Sequence, residues 1–122
     1  MTSSSEYSRR TKLVKGATND FQDTATGSHA GGGAQDFTAT LTKGTTRWVR
    51  KVEIAAPSFT GDETYAIYNG SVSAANLVKQ GYILPTGEVE MRNPVATTGN
   101  FVIRITSTSA SAVYINVDYD YA

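Results

Sequence analysis

Residues 101–107 and 112–121, FVIRITS and AVYINVDYDY, alternate their side chains with a period of two, and no other feature limits the fold of this chain so strongly. Phe101, Ile103 and Ile105 fall on one side of the first run. Val113, Ile115, Val117, Tyr119 and Tyr121 fall on one side of the second. A pleated strand points successive side chains to opposite faces, so this period describes two strands, each with one face buried. Two such faces can share one buried layer. A closing strand in the middle of a sheet would also hold the last residues, which otherwise fray.

Residue choice points the same way. Ten Val, six Ile and seventeen Thr far outnumber four Leu, and β-branched side chains fit a pleated surface while losing rotamer freedom in a helix. Further strand patterns recur between turn signals from Ala34 onward: DFTATLT, TRWVRKVEIAA, TYAIYNG, LVKQGYIL and EVEMRN. KGT at 43–45 reads as a hairpin turn, SVSAAN as a loop or single helical turn, and Gly81 as a bulge position. In PTG, Pro85 presets the first corner and Gly87 accepts positive φ. Trp48, Val52 and Ile54 align on one face, with Trp48 in the core. Arg50 shares that face, so the strand twists, bulges or reaches the rim there. The expectation is an all-β chain, an antiparallel sandwich or barrel of about eight strands.

Residues 1–33 differ. They are rich in Ser, Thr, Gly and charge with scattered apolar positions, a composition that cannot build a core. They are expected to form an extended polar arm and linker, with 34–122 as the sandwich. TKLVKG at 11–16 suits one short strand, and GSHAGGG at 27–33 reads as a flexible linker carrying the single histidine, His29. Ordering such an arm on a partner needs apolar anchors, for which Leu13, Val14 and Phe21 are the candidates.

A chain of 122 residues suits one domain with one core. With no cysteine there is no disulfide framework and no thiolate chemistry. Eleven basic and eleven acidic residues cancel, so no long-range field draws the chain to nucleic acid or an anionic membrane. No apolar run approaches the length of a membrane span, and MTSSSEYSRR lacks the apolar centre of a signal peptide, which suggests use without Sec-type export.

Asn116, Asp118 and Asp120 share one strand face, but calcium needs six or more converging oxygens, which a straight strand does not supply. They read as a solvated face, with Asp118 placed to set register against Arg47, Lys51 or Arg104. His29 lacks a rigid scaffold for a triad, and its glycines lack the Gly-Lys-Ser/Thr of a phosphate loop. The pairs Glu88/Glu90 and Asp118/Asp120 fall where alternation expects solvent, not a sugar cleft. Lys43, Arg47, Arg50 and Lys51 surround Trp48 as in a single-strand binder, yet the zero net charge argues against nucleic acid. Tyrosines such as Tyr65, Tyr68, Tyr82 and Tyr114 suit an interface or a sugar, since a phenol offers apolar area with a hydrogen-bonding tip. No enzyme activity, cofactor or metal is expected.

From residue 40 onward the order of features resembles the small β-sandwich structural proteins of tailed bacteriophages, such as capsid decoration and head spike base proteins. The resemblance rests on KGTTRWVRKVEI, YAIYNG, ILPTGEVEM and the closing NFVIRITSTSASAVYINVDYDYA. It implies a jelly-roll-like fold, a place in the virion, a homotrimer, and an arm that grips the major capsid protein or another virion protein. Leu13, Val14, Phe21, Tyr65 and Tyr68 are then the partner-binding candidates. The alternative is a carbohydrate- or receptor-binding module with the tyrosines and Trp48 as stacking groups, so a glycan is a possible partner.

Overall fold

The computed structural model describes residues 19–85, 87–97 and 99–122. Eight strands follow in order: β1 (Asn19–His29), β2 (Gly33–Thr40), β3 (Arg47–Ala55), β4 (Thr64–Asn69), β5 (Leu77–Tyr82), β6 (Glu88–Thr97), β7 (Asn100–Ser107) and β8 (Ser111–Tyr121). A single 3-10 turn at Ala74–Asn76 precedes β5. One sheet runs β1-β8-β3-β6, and the other runs β2-β7-β4-β5. β1 pairs with β8, β2 with β7, β3 with β6 and β4 with β5, all antiparallel. The chain is thus one long hairpin with its tip at the 3-10 turn, rolled so that β3 also pairs β8 and β4 also pairs β7. That wrapping is the jelly roll.

The alternation of β7 and β8 positions the core. Phe101, Ile103 and Ile105 from one sheet face Val113, Ile115, Val117 and Tyr119 from the other, all fully buried. The two runs do share one buried layer, across the sandwich and not as ladder neighbours. β8 is central in its sheet, held by β1 and β3, and Ala122 closes the end by exchanging backbone hydrogen bonds with Thr45 and Thr46.

Four expectations are corrected. Residues 19–29, read as arm, form a full strand paired with β8 from Asn19↔Tyr121 to His29↔Ser111, so the sheet begins well before residue 33. TKLVKG, with Leu13 and Val14, lies outside the described residues. KGT is not a hairpin turn, because β2 and β3 belong to different sheets; Gly44 (φ +74) instead turns the chain against Tyr121 and Ala122. The irregularity expected at Gly81 falls between Ile67 and Tyr68 opposite Lys79 and Leu77, and Gly81 keeps register with Tyr65.

Trp48 is the fourth. Register breaks between Val49 and Lys51: these two pair the consecutive residues Tyr119 and Asp118 of β8, so Arg50 is an extra residue on β3, and on its other side it faces Met91–Pro94 of β6. A bulge changes the parity of a strand. Val49 is therefore buried with Val52 and Ile54, and Trp48 is half-buried on the outer face. Pro94 is tolerated because β6 is an edge strand. The other edge, β5, carries Lys79 on the inward register opposite Ile67, and its Nζ donates to the Glu90 carbonyl of β6 at 2.8 Å. An inward charge discourages edge-to-edge pairing and here also joins the two sheets.

Candidate functional site

Two loops at one end of the sandwich form a groove. The β3–β4 loop, residues 56–63, is pinned by Glu63, whose buried carboxylate accepts from the Thr60 N–H at 2.8 Å, the Gly61 N–H at 2.7 Å and the Thr60 hydroxyl at 3.1 Å. Burial alone would raise the Glu63 pKa; the backbone donors outweigh it and hold the carboxyl below its usual value. The β5–β6 loop, residues 83–87, closes as a turn in which Gly87 N–H donates to the Leu84 carbonyl at 2.9 Å. Gly87 adopts φ +71, and its carbonyl accepts from Ile54 N–H at 2.7 Å, which fastens this loop to the end of β3.

Between the loops lies a mainly apolar cavity of about 610 Å³, floored by Ile54, Phe59 and Ile83 and walled by Pro57 and Pro85. Tyr82 and Leu84 stand at its rim, 66% and 58% exposed. Tyr114 is half-exposed and is the Cα partner of Ala55, which also lines the cavity. Large apolar side chains left in water beside an apolar cavity on a firmly held surface make this the candidate site. Leu84 was not singled out in the sequence; an apolar residue directly before the Pro of a turn was the available signal.

The outer face of the β1-β8-β3-β6 sheet is ionic. Lys51 Nζ lies 3.7 Å from carboxylate oxygens of Glu53, Glu88 and Asp118. Burial would lower the Lys51 pKa, but these three carboxylates outweigh it and raise it. Asp118 also accepts from Gln22 Nε2 at 2.6 Å, and Asp120 pairs with Arg50 Nε at 3.5 Å. The terminal aspartates thus face cations across the strands. Of the basic groups expected opposite Asp118, Lys51 fills the role. Arg104 instead grips Asp36 through two hydrogen bonds, and buried Arg47 donates to the Lys43 carbonyl at 2.8 Å.

The remaining candidates fall in different places. Tyr65 is buried in the core, because Gly81 opposite it leaves room for the ring, so it does not present a surface. Tyr68 is half-buried on the outer face of the second sheet. Phe21 sits at the open rim of β1, edge-on to Tyr119 at 6.2 Å and under Lys43 Nζ at 5.1 Å. His29 is no linker residue. Its buried ring donates from Nε2 to the Ile105 carbonyl at 2.9 Å, accepts from Gly31 N–H at Nδ1, and stands edge-on to Phe59 beneath the groove.

No protein-family model and no curated protein matches the sequence. Solved structures of β-sandwich proteins do match at low likeness. A periplasmic inhibitor of g-type lysozyme from Aeromonas hydrophila has 13% identity over 86% of this chain and 89% of its own, with a TM-score of 0.48. A family 32 carbohydrate-binding module from C. perfringens NanJ, solved with galactose, has 17% identity over 89% of this chain and 83% of its own, at 0.47. A chain of infectious bursal disease virus, Gx strain, has 12% identity over 86% of this chain and 33% of its own, at 0.41.

Proposed function

We propose that this chain is a non-enzymatic structural protein of a phage virion, a capsid decoration or head/tail accessory protein that forms a homotrimer and docks on the major capsid protein or another virion protein. The carrying observation is the loop-end groove, where Tyr82 and Leu84 are held in water by loops anchored through Glu63 and Gly87. A rigid apolar surface gains free energy on burial without first losing loop entropy, which suits permanent assembly. The groove is proposed to meet a neighbouring copy in a closed ring. Residues 1–18, with Leu13 and Val14, are left to reach the capsid. The sequence resemblance to tailed-phage sandwich proteins supports this reading.

Multi-angle light scattering tests it. A mass three times that of the chain, reduced to one chain mass by Tyr82→Ser with Leu84→Ser, is the expected result. A monomer at high concentration, or a trimer unmoved by both substitutions, contradicts it.

A second reading has its own observation. Tyr82 and Tyr114 are exposed phenols at the same end, and such rings stack on sugars. A monomer that binds neutral glycans, with loss on Tyr82→Ala, would favour a carbohydrate-binding module.

A further inference from the structure

We infer that the open edge of β1 is a docking surface for residues 9–15 of the same chain, RRTKLVK, added as an antiparallel strand in the unassembled protein. The inference does not rest on the assembly reading. The groove lies by Ala55 and its partner Tyr114, whereas β1 begins beside Tyr121, at the other end of β8.

β1 is the longest of the four edge strands, with eleven residues, and its register against β8 is unbroken. Edges are ordinarily blunted by a Pro, a Lys, a bulge or an inward charge. β6 has Pro94 and lies beside the bulge, while β5 has Lys79 and a register break. β1 has no Pro, Lys or Arg, and its inward Asp23 is already bonded to the Tyr119 hydroxyl and to Thr42. Among the described residues no strand pairs with its outer side, so every second N–H and C=O along it faces out. Asn19 to Gln22 are all exposed, although Phe21 is on the core side of the strand, opposite buried Tyr119. The rim of the core is open there.

Charge and tether select the occupant. Asp20 and Asp120 are Cα partners, and like charges directly opposite each other weaken a ladder. Arg50 stands between them, 3.5 Å from Asp120 and 3.9 Å from Asp20, whose side chain is 75% exposed. Residues 1–18 hold Arg9, Arg10, Lys12 and Lys15 against Glu6, and residues 19–122 hold ten acidic side chains against seven basic ones. The neutral chain is thus a basic segment tied to an acidic sandwich, at the strand that opens with Asp20. Residues 16–18 are long enough for a hairpin loop and begin with Gly16. Lys15 then stands opposite Asn19, Leu13 opposite Phe21, and Lys12 opposite Gln22 on the diagonal to Asp20. Leu13 covers the exposed ring, and Lys12 meets the carboxylate. So short a tether holds the segment at an effective concentration of about millimolar, which a second copy in dilute solution does not match. In the assembly reading the same segment reaches the capsid; the edge holds it beforehand.

Amide exchange of the dilute full chain at low salt, followed by NMR, tests this. Residues 9–15 and alternate amides of 19–25 are expected to exchange at least about tenfold more slowly than in Val14→Pro, with the amides of β7 and β8 equal in both as the control for folding. Asp20→Lys, on an exposed side chain, should lose most of that protection, and Asp20→Lys with Lys12→Glu should regain it. Nuclear Overhauser contacts should join residues 9–15 to 19–25. Exchange at 9–15 as fast in wild type as in Val14→Pro overturns the inference. So do contacts of 9–15 with a different strand, wild-type protection in Asp20→Lys, or protection that is lost on dilution, which would assign the edge to a second copy.

Discussion

Lys51 on β3 and Asp118 on β8 are Cα partners in the ladder, and their charged ends lie 3.7 Å apart on the outer face. A slip of one residue would turn every buried side chain of β8 to water. It would also move Asp118 away from Lys51. The polar row of the last strand therefore reinforces the register that its apolar row already sets.

Reversing that charge should show it. Asp118→Lys places a cation beside Lys51 and is expected to lower Tm at low salt, with the loss shrinking at about 1 M salt, where screening acts within about 3 Å. An unchanged Tm at low salt would mean that the pair contributes nothing to the ladder.

Gly87 is where backbone geometry leaves no choice. A Cβ there would stand 2.1 Å from the Ile54 carbonyl oxygen, at φ +71. Gly87→Ala is expected to cost more than about 3 kcal/mol in urea unfolding. Gly32→Ala, which meets nothing within 4 Å, should stay within about 0.5 kcal/mol of wild type. Equal effects would contradict the packing of the β5–β6 loop on β3.

Glu63 gives a pH dependence with a defined sign. Its folded pKa lies below the ordinary 4.5, so the unfolded chain binds its proton first as acid is added. The stabilisation is complete above about 4.5 and is lost as pH falls through the folded value. Unfolding followed from pH 6 to pH 2 should be less acid-sensitive in Glu63→Gln than in wild type. Identical acid slopes would contradict the buried, backbone-bonded carboxylate.

Truncation separates arm from sheet. Deleting residues 1–33 removes β1 and strips one side of β8, so a cooperative unfolding transition should disappear. Deleting only residues 1–18 should leave that transition in place. A folded product lacking residues 1–33 would show that β1 is not part of the sheet.

Strict alternation made β7 and β8 readable, because their inward positions are apolar except for Ser107 and Ser111 at the ends, next to the turn that joins them. β1 was not readable. Its inward positions include Asp23, Ala25, Gly27 and His29, and Gly27 is small because the Phe37 ring would lie 3.2 Å from a Cβ there. Hydrogen bonds supply what apolar area does not. Asp23 accepts from the Tyr119 hydroxyl and from both the N–H and the hydroxyl of Thr42, while His29 bonds Ile105. Trp48 departs from simple alternation for a related reason: Val49 and Lys51 pair the consecutive residues Tyr119 and Asp118 of β8, so Arg50 is an extra residue within β3 and inverts the count there. The groove escaped notice because its halves, Pro57–Glu63 and Tyr82–Pro85, meet only once β3 and β5 lie in facing sheets.

The central claim, that this scaffold works by docking its loop end against another copy, is tested most directly by amide hydrogen exchange of the wild-type protein at high and low concentration. Residues 55–61 and 82–87 should exchange more slowly in the concentrated sample, with the rest of the sandwich unchanged. Equal exchange in those two segments at both concentrations, with an assembled mass in the concentrated sample, would place the contact elsewhere and contradict the account.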